Sequence, residues 1–123
     1  MEQIRFSTRV LGPQAAFRLE KRQVTQTLRS DSNPITASIL HGRVSAGDQL
    51  EVVLDGILTG HAELIYVDAI TWEALSIDDA HRGGFDTLPD LEKALERAGY
   101  RFKPLNEYQF YRIQFTWLEE AYA

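Results

Sequence analysis

The sequence predicts one α+β domain, residues 1–123, in which about five short strands and two or three helices share a single core. A chain of 123 residues with 44% hydrophobic content is the size of one ordinary domain, and no repeat, low-complexity run or linker divides it. Several short stretches alternate apolar and polar residues, as strands do, and capped segments with helical spacing separate them. Strands this short around one core suggest a small barrel.

Gln3 to Arg9 alternates around Ile4 and Phe6 and reads as the first strand. Gly12-Pro13 breaks it, and Pro13 suits the first turn of a helix running through Ala15, Ala16 and Leu19 to about Arg22. Lys21 to Ser30 alternates again and reads as a half-buried strand. Thr25, Thr27 and Arg29 share one face, and Val24, Gln26 and Leu28 the other. Ser30 to Pro34 is rich in turn formers, and Pro34 holds Asn33 out of helical geometry, so a loop is expected.

Ser45-Ala46-Gly47-Asp48 is a turn into the strand Gln49 to Leu54, and Asp55-Gly56 is a tight hairpin signal. Ile57 to Val67 is the returning strand, with a bulge expected at Gly60. Thr71 to Leu75 and Ser76 to Asp79 read as helical turns, the latter with Ser76 and Asp79 spaced as a capping box and Asp78-Asp79 on a solvated face. After Gly83-Gly84, Thr87 caps a helix whose Leu88, Leu91, Leu95 and Ala98 lie on one side, and Gly99 ends it. Tyr108 to Trp117 is the last strand, with Tyr111, Ile113, Phe115 and Trp117 expected to face the core.

The absence of cysteine excludes disulfides, thiolate catalysis and cysteine-bound zinc. No apolar run has the length of a membrane span, and Met1-Glu2-Gln3-Ile4-Arg5 lacks the apolar stretch of a signal peptide, so a cytoplasmic protein is expected. A net charge of −5 argues against a protein that coats DNA. Charge is unevenly spread: residues 1–50 carry seven basic and four acidic side chains, the remainder six and fourteen. That asymmetry can place a positive patch on an acidic protein, or be an accident of surface composition.

The row Thr25, Thr27, Arg29 is the leading candidate for ligand recognition. Hydroxyls donate and accept, and a guanidinium offers a planar fork suited to phosphate or carboxylate. The alternative is an edge strand whose threonines reflect strand propensity alone. A hydrolase would use Thr27 or Ser30 as nucleophile with a base such as His41, His61 or His81. The histidines lack metal-ligand spacing, so no metal site or cofactor is expected. Gly83-Gly84 either turns the chain or presents amides to a phosphate. Trp72 and Trp117 could stack on bases, but Trp117 shares a face with Ile113 and Phe115 and suits the core; Phe85 and Tyr108 are better stacking candidates, with packing as the alternative for both.

This order of elements resembles the ASCH domain of the PUA-like superfamily. The family signature, just after the first helix, is glycine, any residue, lysine, two residues, threonine, any residue, arginine. Thr27 and Arg29 fit its last two fixed positions, and Thr25 matches a threonine frequent between them. The Gly47-Asp48 turn, the segment from Asp79-Ala80 to Gly84-Phe85, the helix after it and the strand ending Ile113-Gln114-Phe115 are also similar to the family. Arg22 stands at the signature glycine and Val24 at the lysine. One bacterial branch hydrolyses the amide of acetylated cytidine with a lysine, a threonine and a glutamate, which correspond here to Val24, Thr27 and Gly83. Only the threonine is kept, with Lys21 and Asp86 each three residues from a lost position.

The resemblance thus implies a small mixed PUA-like β-barrel with two or three helices at its rim. It implies a partner that is RNA or a nucleoside-like or nucleotide-like small molecule, bound beside the first helix and the threonine-rich strand. Thr25, Thr27, Arg29 and Phe85 would line that cleft, with Lys21 and Arg22 at its rim. The alternatives are an amidohydrolase or ribonuclease with a substituted catalytic set around Thr27, or a regulatory protein that binds another protein.

Overall fold

The computed structural model describes residues 1–102 and 108–119. Its strands are β1 (Gln3–Phe6), β2 (Gln26–Arg29), β3 (Gln49–Leu54), β4 (Ile57–Ile70) and β5 (Phe110–Trp117). Its helices are α1 (Thr8–Leu11), α2 (Pro13–Glu20), α3 (Pro34–Leu40), α4 (Ile77–Arg82) and α5 (Leu88–Arg97), with a 3₁₀ turn at Trp72–Ala74. Five α-helices among the described residues exceed the two or three expected.

The two extra helices begin where capping outweighs local propensity. Ser7 stops the first strand three residues early: its hydroxyl accepts from the Val10 N–H and starts α1. Asn33 accepts from the Ile35 N–H while Pro34 takes the first helical position, so the expected loop is the start of α3.

The strands form one mixed sheet in the order β1-β3-β4-β5-β2, parallel only between β1 and β3. Asp55 and Gly56, with φ of 51° and 81°, make the tight turn between β3 and β4. The register of β3 on β4 skips Thr59, a bulge beside Gly60, and that of β4 on β5 skips Ile65. These bulges curl the long β4, so that β1 and β2, at opposite ends of the sheet order, approach each other across an open seam.

Both sides of the sheet are covered. Ile4, Phe6, Leu19, Leu50, Val52 and Ile113 belong to one apolar cluster. Leu28, Ile70, Trp72, Phe85, Leu95 and Phe110 belong to the other. Alternation in β2 is kept, yet Gln26, Thr27 and Leu28 are all buried. The strand therefore lies inside the molecule rather than half exposed. The same layering buries Phe110 from the side of β5 expected to be the more polar.

Candidate functional site

The seam between β1 and β2 opens into a cavity of about 230 Å³. Arg5 and Phe6 of β1 face Gln26, Thr27, Leu28 and Arg29 of β2 across it. Leu91, Ala94 and Leu95 of α5 form an apolar wall, and Val10 and Leu11 of α1 another. Phe85 enters from the loop after α4. That entry depends on Gly84: its φ is +93°, and a Cβ there would lie 2.8 Å from Val24 Cγ2.

Backbone pairing explains what the seam presents. Glu51 and Asp55 donate to the carbonyls of Glu2 and Phe6, so the intervening Arg5 carbonyl points away from β3 and into the seam. On the other bank, Phe115 donates to the Thr25 carbonyl. Antiparallel alternation then turns Thr27 toward β5, and the peptide groups of Gln26 and Leu28 outward.

Arg29 bridges the two banks. Its Nη2 donates to the Arg5 carbonyl at 2.7 Å, its Nε donates to Thr27 Oγ1 at 2.8 Å, and the guanidinium lies 4.9 Å from the centre of the Phe6 ring. No carboxylate is among its partners in the described residues. Burial lowers its pKa to about 10, with the Tyr100 phenol acting in the opposite direction. Arg5 and Arg9 add two more cations, both side chains exposed.

Among the described residues, the one carboxylate on this cavity wall is Asp79, 2% exposed. Its Oδ1 accepts from Gln26 Nε2 at 2.9 Å and Arg112 Nη1 at 3.0 Å, and its Oδ2 accepts from the N–H and the hydroxyl of Ser76. Those four bonds fill its acceptor capacity. Burial alone would push this carboxyl up, but the bonds from Gln26, Ser76 and Arg112 together hold it below its ordinary value. Arg112 also pairs with Asp68 through two nitrogens, which raises the Arg112 pKa. Asp79 is thus an anchored anion at a helix start, not the solvated side chain expected, although Asp78 beside it is exposed.

No family model matches the chain, and no curated protein matches it. Among solved structures it is similar to the ASCH domain from Lactobacillus crispatus JV V101, with a TM-score of 0.56 and 15% identity over 84% of this chain and 69% of that one. It is also similar to a protein from Enterococcus faecalis V583 of the DUF984 family, with a TM-score of 0.64 and 18% identity over 96% of this chain and 80% of that one. This chain has the ASCH-domain fold.

Within the ASCH fold, the structure brings Thr27, Arg29 and Phe85 together on one cavity and leaves Lys21, Arg22 and Thr25 off its wall. The cavity runs along all four residues of β2, whereas Lys21 and Arg22 occupy the turn after α2. Lys21 Nζ sits 5.4 Å from the Phe17 ring, and the Arg22 guanidinium 5.8 Å from the Trp117 ring. Thr25 is held through its backbone, donating to the Arg82 carbonyl and accepting from Phe115. Arg22, at the signature glycine, adopts φ 60°. The backbone asks for glycine there even though the sequence supplies arginine.

The amides of Gly83, Gly84 and Phe85 donate to the carbonyls of Asp79, His81 and Ala80, so they are not turned to a ligand. None of the three histidines lines the cavity. Among the described residues no group of three potential ligands is placed to hold a metal ion, and no helix is long and apolar enough to cross a membrane. Arg5, Arg9 and Tyr100 line the cavity without having stood out as site candidates. The alternation of Arg5 with Ile4 and Phe6 was the available signal for the first. Nothing local signals that β1 would lie across from β2.

Proposed function

We propose that this ASCH-fold protein is a binding module for RNA or a nucleotide-like ligand, with Arg29 as the contact for a phosphate. The observation that carries the reading is a guanidinium on the cavity wall, beside apolar side chains of α1 and α5, with no carboxylate partner among the described residues. Three of its five N–H donors make no hydrogen bond to the described residues. An arriving oxyanion would supply the missing charge in surroundings that strengthen charge-assisted hydrogen bonds. Thr27 and Phe85 would meet the rest of the ligand, Phe85 by contact with a base. The likeness to an ASCH domain supports a nucleic-acid ligand over other anions through what the resemblance implies.

A hydrolase built around Thr27 has less support. The Thr27 hydroxyl accepts from Arg29, the one carboxylate on this wall is saturated, and no histidine reaches it. A general base within hydrogen-bonding reach is what activation of a hydroxyl needs.

The test is titration of AMP and a short single-stranded RNA against the parent protein, Arg29→Ala and Arg101→Ala. Arg101 is exposed and lies outside the cavity. Arg29→Ala is expected to weaken binding by about tenfold to a hundredfold, the range for a lost hydrogen bond to a charged group. Arg101→Ala should leave binding unchanged. Few phosphates can be neutralised here, so the dependence on salt should be shallow. Equal affinities for the two variants would remove Arg29 from the binding surface and overturn the proposal.

A further inference from the structure

We infer that the site takes more than one nucleotide unit: the cavity and an open groove on the other side of Arg29 form a single track across the seam. The inference rests on the binding reading above and extends it. In this track the cavity holds one base or sugar, Arg29 meets the joining phosphate, and the groove receives the next unit.

Size motivates the first part. Pockets that enclose a drug-sized ligand measure roughly 300–1,000 Å³, and this cavity is about 230 Å³. It has room for one unit and no second. The neighbouring groove is larger and more open, about 750 Å³, and runs over Glu2, Gln3, Pro34 and Ile35 at the start of α3. Arg5, Arg29 and Asn33 line both spaces. Two cations, Arg5 and Arg29, are therefore shared by the cavity and the groove. A phosphodiester has one unit on each side, and Arg29, the one of the two with buried surroundings, has one space on each side.

Charge motivates the second part. The side chains of the groove carry two cations, Arg5 and Arg29, against one acid, Glu2, whose carboxylate lies 3.9 Å from Arg43 Nε. The groove is thus weakly positive and continuous in sign with the cavity. Within an acidic protein, this favours an anionic chain over an acidic protein segment of the same net charge only through shape: the enclosed end fits a ring, not an extended side chain.

The experiment compares AMP with the 5′-phosphorylated dinucleotide of adenosine, and repeats the pair with uridine, at about 0.15 M salt, where charges more than ~8 Å apart are largely screened. Two variants probe the groove alone. Glu2→Lys reverses its one negative charge. Pro34→Glu adds an acid at the first position of α3, where helices accept acidic residues, and unfolding midpoints confirm that both variants are folded. The dinucleotide should bind at least tenfold more tightly than the mononucleotide. Glu2→Lys should tighten the dinucleotide about fivefold and Pro34→Glu weaken it about fivefold, as for one close charge in a watery setting, with AMP within twofold. Equal affinity for the mono- and dinucleotide, with both variants silent, would confine the ligand to the cavity and overturn the track while leaving the cavity reading intact. No binding of either probe by the parent protein would overturn the cavity reading, and the track with it.

Discussion

Replacing Asp79 by alanine should destabilise the protein by about 3–6 kcal/mol, a large share of the roughly 5–15 kcal/mol that holds a domain folded. The magnitude follows from what each of its four bonds leaves behind. Gln26 is 2% exposed and would lose the acceptor for its Nε2, and a buried unsatisfied donor costs about 1–3 kcal/mol. Arg112 would keep its two bonds to Asp68 but lose its second anion. Its loss is thus below the roughly 3–5 kcal/mol of a fully broken buried pair, at about 1–2 kcal/mol. Ser76 is exposed and can bond to water, so only the capping contribution of about 1 kcal/mol goes with it.

Asp79→Asn should lose less, about 2–3 kcal/mol, because the amide keeps one acceptor but turns an NH₂ toward a donor. Urea denaturation measures both variants, with an unchanged slope showing that the unfolded state is not what moved. Acidity supplies an internal check. The folded carboxyls of Asp68 and Asp79 lie below the ordinary value of 3.8. Their stabilisation is thus complete above that value and is lost as pH falls through the lowered folded pKa. The gap between parent and Asp79→Asn should therefore be constant above about pH 5 and narrow on acidification. A loss below about 1 kcal/mol for Asp79→Ala would refute the reasoning and reopen Asp79 as a group held for chemistry rather than for structure.

Two further substitutions test the backbone that shapes the site. Arg22→Gly should be more stable than Arg22→Ala by about 1 kcal/mol in thermal unfolding, since both remove the contact with Trp117 and only glycine is at ease at φ 60°; equal stabilities would count against strain at Arg22. Gly84→Ala should lower stability by about 2–3 kcal/mol, because φ is +93° and the new Cβ would press on the buried Val24. An unfolding midpoint equal to the parent's would show that the loop carrying Phe85 can shift freely.

Local pattern carried the strands well and the site in part. Alternation sorted Thr27 and Arg29 from Gln26 and Leu28, and those pairs do lie on opposite faces of β2. The hairpin at Asp55-Gly56, the bulge beside Gly60 and the helix capped by Thr87 are also written in neighbouring residues. Helices α1 and α3 were hidden because Ser7 and Asn33-Pro34 serve equally well to end a strand or fill a loop. Only the tertiary position of the following residues decides that they start helices. Burial was least legible. Asp79 looks like any acidic residue in a first helical turn until Gln26, 53 positions away, and Arg112, 33 positions away, are brought to it by β2 and β5. The cavity itself depends on parallel pairing of β1 with β3, a long-range choice that no alternation records.

The seam gives these elements a common physical logic. An unpaired sheet edge exposes N–H and C=O groups and invites pairing with other chains. Here two such edges face each other, and a full ladder between them is replaced by one side chain: Arg29 reaches from β2 to the Arg5 carbonyl of β1. A complete barrel would leave no opening, and a wide-open sheet would leave no cavity. A single guanidinium bridging the edges leaves both a space beneath it and three donors without a partner among the described residues. Helices α1 and α5 cover that space with apolar side chains, which depresses the tendency of Arg29 to hold its charge and so increases what an oxyanion gains by meeting it. The residue that keeps the two edges together is thereby also the one we propose as the phosphate contact. Arg29→Ala would test both roles at once, and comparison of its unfolding midpoint with its affinity would separate a loosened seam from a lost contact.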